Sequence, residues 1–175
     1  QGQLKTVTIN ESMVTNGVFF DSGKYMLMGE GSISGPGDVT VNKDADVTLN
    51  LKYSDYTGRT IINGGRLTVP NFYDGGQKSA IGASSAAEGN LQINGGTLIL
   101  SKDNMATDHI VSITDTATVS VIASNSALTL KGQVKGTGYL LKDGPGRINF
   151  NYGGTNTFAG IIIKQGTVSQ GAWNS

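Results

Sequence analysis

Apolar and polar residues alternate along this chain in short bursts separated by turn residues. Leu4-Lys-Thr-Val-Thr-Ile9 has the period of two expected of a half-buried strand. Asn16-Gly17 then turns the chain, Val18 to Phe20 form an apolar run, Asp21-Ser-Gly23 turns it again, and Tyr25 to Met28 make the next strand. Successive runs lie about five to ten residues apart, which predicts coils of roughly 20 or more residues carrying two or three strands each.

The bursts also repeat as phrases. Asn63-Gly-Gly-Arg-Leu-Thr-Val69 and Asn94-Gly-Gly-Thr-Leu-Ile-Leu100 start 31 residues apart, and Gln165-Gly-Thr-Val168 is a worn third version. Gly35-Pro-Gly37 and Gly144-Pro-Gly146 each end one strand and precede another, Val39-Thr-Val41 and Ile148-Asn-Phe150. Proline there fixes φ and withholds a ladder donor, and its glycine neighbours tolerate tight corners. Matching Gly65 to Gly166 makes Ile62 equivalent to Ile163 and Leu67 to Val168. Alternation points Leu67, Val69, Leu98 and Leu100 inward, with Arg66, Thr68 and Thr97 outside. Ile99 falls on the outer row, so it is either covered by a loop or part of an exposed apolar strip. Recurrence of whole units with aligned apolar positions specifies an all-β solenoid; the competing architecture is a hairpin-built sandwich or barrel.

The rhythm breaks between 70 and 90. Pro70-Asn-Phe-Tyr-Asp-Gly-Gly76 is turn-like, and Ala83 to Ala87 is too short for a stable isolated helix, so an irregular loop or insertion is expected. Otherwise 1–175 reads as a single solenoid segment whose ends look cut from a larger protein. Cysteine is absent, and 26 glycines are about twice the usual share. The 13 basic and 13 acidic residues are scattered singly, which argues against nucleic acid as a partner. No apolar run nears the roughly 18 residues of a membrane helix, so this segment is not expected to insert in a membrane.

The order Gly-Pro-Gly, Val/Ile-x-Val/Phe, then Tyr56-Thr-Gly58 or Asn156-Thr-Phe158, then Thr60-Ile-Ile-Asn-Gly-Gly-x-Leu-x-Val69, resembles the passenger-associated β-strand repeat of bacterial autotransporters and related secreted or surface proteins. The match is best over 29–69 and 136–171 and partial over 88–100. This resemblance implies a right-handed parallel β-helix at the bacterial surface or outside the cell, acting as a stalk or adhesive rod. It also implies flanking coils or domains of a parent protein as partners. The repeat carries no catalytic residues to transfer.

Candidate chemistry is sparse. His109 is the single histidine; Asp108 and the many serines invite a triad, but neighbours in sequence do not make triad geometry, and a surface or strand-start histidine is expected. Asn42-Lys-Asp-Ala-Asp46 begins like a calcium loop, yet has Val47 where glycine is needed and Tyr53 in place of the closing Glu, so a solvated corner is expected. The Gly-rich turns lack the residues of a phosphate loop. No catalytic, cofactor or metal residue is assigned, no cofactor is expected, and the chain is not read as an enzyme. Aromatics gather at Tyr53, Tyr56, Phe72 and Tyr73, and again at Tyr152, Phe158 and Trp173. Tyr56 and Phe158 are expected to pack under corners, whereas Tyr53, Phe72 and Tyr73 are candidates for stacking on a host or polysaccharide glycan. Two functions follow: a structural stalk or adhesive scaffold of a large secreted or cell-surface protein, or a carbohydrate-binding accessory module of a polysaccharide-degrading enzyme.

Overall fold

A computed structural model describes residues 2–51 and 53–171, with no helix among them. These residues wind through eight coils. The first two hold β1 (Leu4–Thr8), β2 (Ser12–Val14) and β3 (Gly17–Phe20), then β4 (Gly23–Met28), β5 (Ser32–Ser34) and β6 (Asp38–Asn42). Coils 3 and 4 hold β7 (Ala45–Asn50) with β8 (Thr60–Asn63), and β9 (Arg66–Val69) with β10 (Leu91–Asn94). Coils 5 and 6 again have three strands, β11 (Thr97–Leu100), β12 (Met105–Thr107) and β13 (Val111–Ile113), then β14 (Ala117–Val121), β15 (Ala127–Leu130) and β16 (Val134–Gly136). The last two hold β17 (Tyr139–Asp143) with β18 (Arg147–Phe150), and β19 (Gly160–Ile163) with β20 (Thr167–Gln170).

Each coil stacks on the one before through parallel pairing, which defines three faces. The first is an eight-stranded sheet in the order β1-β4-β7-β9-β11-β14-β17-β19, and the third is six-stranded, from β3 to β16. The second comes in two pieces, β2-β5 and β12-β15-β18-β20. On the first face the register partners Leu4, Lys24, Asp46, Arg66, Thr97, Thr118, Leu141 and Ile162 are 20 to 23 residues apart, except for the 31 between Arg66 and Thr97. That long interval is coil 4, where the stretch 70–90 replaces the second-face strand without a named strand or helix of its own. Seven intervals at the usual strand spacing make a rod of about 34 Å.

Side chains stack into columns inside the tube. Val47, Leu67, Leu98 and Val119 form one on the first face, Val41, Ile62, Ile93 and Ile113 one on the third, and Met105, Leu128, Ile148 and Val168 one on the second. All but the half-buried Val168 are buried. Ile99 sits in the outward column between Thr68 and Ser120 and is nonetheless buried, so it is covered and does not form a strip. The end coils differ: every residue of β1 is exposed, as are Ile161, Ile162 and Ile163, because β1 and β19 each pair on one side only.

The equivalence of Leu67 with Val168 does not hold. Leu67 lies on the first face and Val168 on the second; Ile62 is on the third face and Ile163 on the first. The same shift applies to the Gly-Pro-Gly units, of which one turns from the second face to the third and the other from the first to the second. All three corners demand the same turn chemistry, so strand, glycine and strand in sequence do not say which corner is being turned.

The two Asn-Gly-Gly copies do stack. Asn63 and Asn94 are register partners above Asn42, and their amides form a ladder: Asn42 donates to Asp21 at 2.7 Å, Asn94 donates to Asn63 at 2.9 Å, and Thr114 donates to Asn94 at 2.9 Å. The two glycines serve different needs. Gly64 and Gly95 take φ of 77° and 67°, where side chains are disfavoured. At Gly65 and Gly96 an added Cβ would lie 2.4 Å from the Asn42 carbonyl oxygen and from an Ile62 methyl, respectively. Asp44 holds the equivalent corner one coil earlier with φ of 71°, and Lys43 and Asp44 are exposed there, so Asn42 to Asp46 forms a solvated corner.

Among the described residues, one fully buried inward position carries a lysine. Lys142 follows Val119 in the first-face column and is fully buried. Its ammonium donates to the carbonyls of Asp143, Gly144 and Gln165 at 2.5, 2.7 and 3.2 Å. Burial lowers its pKa, opposed by the neighbouring Asp143 carboxylate.

Candidate functional site

The three aromatic candidates part company in the fold. Phe72 is 1% exposed and belongs to the core, so it cannot stack on a glycan; its ring lies against His109, centroids 6.0 Å apart and planes 19° from parallel. An apolar residue at the start of an irregular stretch gave no signal of this, because the insertion folds back and buries its own aromatic. Tyr53 and Tyr73 are 53% and 39% exposed. Tyr73 lines an indentation of about 230 Å³ with Asn50, Asn71 and Lys102, while Tyr53 is not part of its wall. Tyr56 is buried, its hydroxyl 2.7 Å from Thr60 Oγ1, and burial raises its pKa. Phe158 is half-buried and stacks on Phe150 at 6.2 Å. Trp173 lies outside the described residues.

The insertion is strapped to coils 5 and 6. Gly75 N–H donates to Asp108 Oδ1 at 2.7 Å, Thr107 Oγ1 donates to the Tyr73 carbonyl at 2.9 Å, and Ile110 N–H donates to the Ala86 carbonyl at 3.0 Å. Lys131 and Lys135 reach back to Asp74 and Glu88 at 2.5 and 2.8 Å. His109, expected at the surface or at a strand start, lies just before β13 and is 3% exposed beneath this strap, because the insertion supplies the cover that a single coil lacks. Its Nδ1 is buried without a hydrogen-bond partner, as are Asp74 Oδ1 and Ser84 Oγ. Among the described residues no serine hydroxyl bonds this imidazole, and no group of three or more acidic or histidine side chains is placed to hold a metal.

Burial lowers the pKa of His109, with Asp108 and Asp74 pulling the other way. The folded chain therefore binds this proton less readily than the unfolded chain. Stability is unaffected above the unfolded value near 6.5 and falls as pH drops through it, by at most about 1.4 kcal/mol per pH unit. Urea unfolding followed from pH 7.5 to 5.5 should show a falling midpoint. In His109→Phe, which keeps the stacking on Phe72, that fall should be shallower; an identical slope in both proteins would remove His109 as its source.

Comparison with known proteins fits this architecture. The family model of the passenger-associated-transport repeat matches residues 47–69 and 140–169, so the chain carries the repeat that its sequence resembles. The chain is also 41% identical over 139 residues to the adhesin BmaC autotransporter of Brucella suis biovar 1 (strain 1330). That alignment takes in 75% of this chain but only 4% of that protein's length. No solved structure matches. The chain is thus a parallel β-solenoid with two matches to the passenger-associated-transport repeat, similar to one short stretch of a much longer autotransporter adhesin.

Proposed function

We propose that this chain is a non-catalytic stalk and adhesive scaffold segment of a large secreted or cell-surface bacterial protein. The observation that carries the proposal is the eight-coil parallel solenoid bearing passenger repeats, together with its likeness to a stretch of an autotransporter adhesin. Its partners are, first, flanking coils or domains of the parent protein: β1 and β19 each offer a free sheet edge, and the inward columns end on exposed Val7 and Ile163. A further coil at each end would cover them. Adhesion to host or polysaccharide glycans is the second kind of partnership. No finding favours the alternative of an accessory module on a polysaccharide-degrading enzyme.

Beads coated with the folded chain should attach to cultured host cells above the level of beads coated with an unrelated β-solenoid. Equal attachment would sink the adhesive reading. Antibodies raised against the chain should label intact producing cells, and labelling that requires permeabilised cells would sink the surface location.

A further inference from the structure

The indentation beside Tyr73 does not stand alone. A second hollow of about 160 Å³ shares Asn71, Tyr73 and Lys102 with it and extends to Asn104. A third, of about 190 Å³, shares Asn104 and runs on to Arg147. All three lie along the corner where the chain turns from the first face to the second. Asn50 ends the first-face strand of coil 3, Asn71 follows that of coil 4, Lys102 and Asn104 that of coil 5, and Arg147 opens β18 in coil 7. The hollows are therefore consecutive stations of one channel parallel to the rod axis, reaching over about 20 Å at the usual strand spacing.

Each hollow is smaller than the roughly 300 Å³ or more of an enclosed small-molecule pocket, but in line they suit a long, thin occupant. Their walls supply carboxamides for hydroxyl groups, one half-exposed phenol ring as a flat platform, two exposed cations, and one exposed carboxylate, Asp103, so that the cations outnumber the acid two to one. Among the described residues no carboxylate forms an ion pair with Lys102 or Arg147. Arg147 Nε is directed to Thr167 Oγ1 at 3.3 Å. Asn104 Oδ1 accepts the Ala127 N–H at 2.8 Å, which occupies its oxygen and turns the amide's donors to the remaining surroundings.

We infer that this corner is an axial groove that binds an extended polysaccharide bearing hydroxyl and some carboxylate groups, with Tyr73 as the stacking platform and Lys102 and Arg147 as the acid contacts. The inference rests on the adhesive reading above and names its ligand and site. Tyr73 belongs to the coil 4 insertion and Arg147 to coil 7, three coil spacings or about 14 Å on. Only a ligand of several rings senses both.

The test is a printed array of neutral and uronic-acid-containing oligosaccharides from two to ten rings, probed with the labelled chain and with Tyr73→Ala, Arg147→Glu and Phe19→Ser. Phe19 is an exposed aromatic on the third face. Uronic-acid oligosaccharides of six or more rings should bind, with a loss of tenfold or more in each of the two groove variants and no change in Phe19→Ser. Circular dichroism confirms that the variants keep their β structure. Absence of binding across the array, binding that survives both groove changes, or loss confined to one of them at every ligand length would each overturn the groove. Beads that adhere to cells without any array signal would leave the adhesive reading intact while the groove fails; array binding without cell adhesion gives the reverse.

Discussion

Leu67→Ala should lower the local stability of coil 4 by about 2 to 5 kcal/mol, the cost of removing a buried leucine and leaving a cavity. Leu67 is fully buried between Val47 and Leu98 in the first-face column, with like aliphatic residues above and below and no flexible neighbour to fill the gap. Coils contact chiefly their immediate neighbours, so the loss should not spread evenly along the rod. Amide hydrogen exchange should quicken most in β7, β9 and β11 while β18 and β20 keep their protection. A uniform rise along the whole rod, or a change below 1 kcal/mol, would mean that the columns are not the unit of stability.

The second large effect is expected at Lys142. Lys142→Met preserves most of the volume and removes the ammonium, leaving the carbonyls of Asp143, Gly144 and Gln165 without the donor they share. An orphaned buried acceptor costs about 1 to 3 kcal/mol; of these three bonds the one to Gly144 is buried and those to Asp143 and Gln165 are partly so. A loss of that size should fall on coils 7 and 8, seen as early release of β19 and β20 in exchange or limited proteolysis. A neutral or stabilising Met would show that water satisfies these carbonyls and that the charge was a burden to the core. Lys142→Ala also leaves a cavity and should be worse than Met.

Where the sequence was readable, it was readable for a physical reason. Leu67, Leu98, Val69 and Leu100 follow the period of two, and stacking of successive coils demands like residues at like positions; burial was therefore visible in the pattern. Asn63 and Asn94 announced their corner because a residue-specific ladder and two glycines with separate duties cannot easily be replaced. The face on which Val168 lies is not legible because turn chemistry is common to all corners, so the phrase fixes the kind of turn and not its face. The role of Lys142 is not legible, since nothing in Leu140-Leu-Lys-Asp143 reveals that three carbonyls will converge on its ammonium. The burial of Phe72 and His109 has one shared reason for being illegible: a stretch without periodicity gives no hint that it will fold back over the tube. The groove was invisible for a further reason, being assembled from corner residues of several coils that share no repeating phrase.

The hydrogen bonds that join coils all point along the length of the rod, and that direction decides how it would yield to a pull. Tension on the two ends would load the coil interfaces one after another, so that the tube unwinds turn by turn instead of snapping as a whole. Each turn occupies about 4.8 Å of rod, yet an ordinary turn holds 20 to 23 residues, which drawn straight span roughly 70 to 80 Å. Each turn released would lengthen about fifteenfold while the remaining turns stay wound.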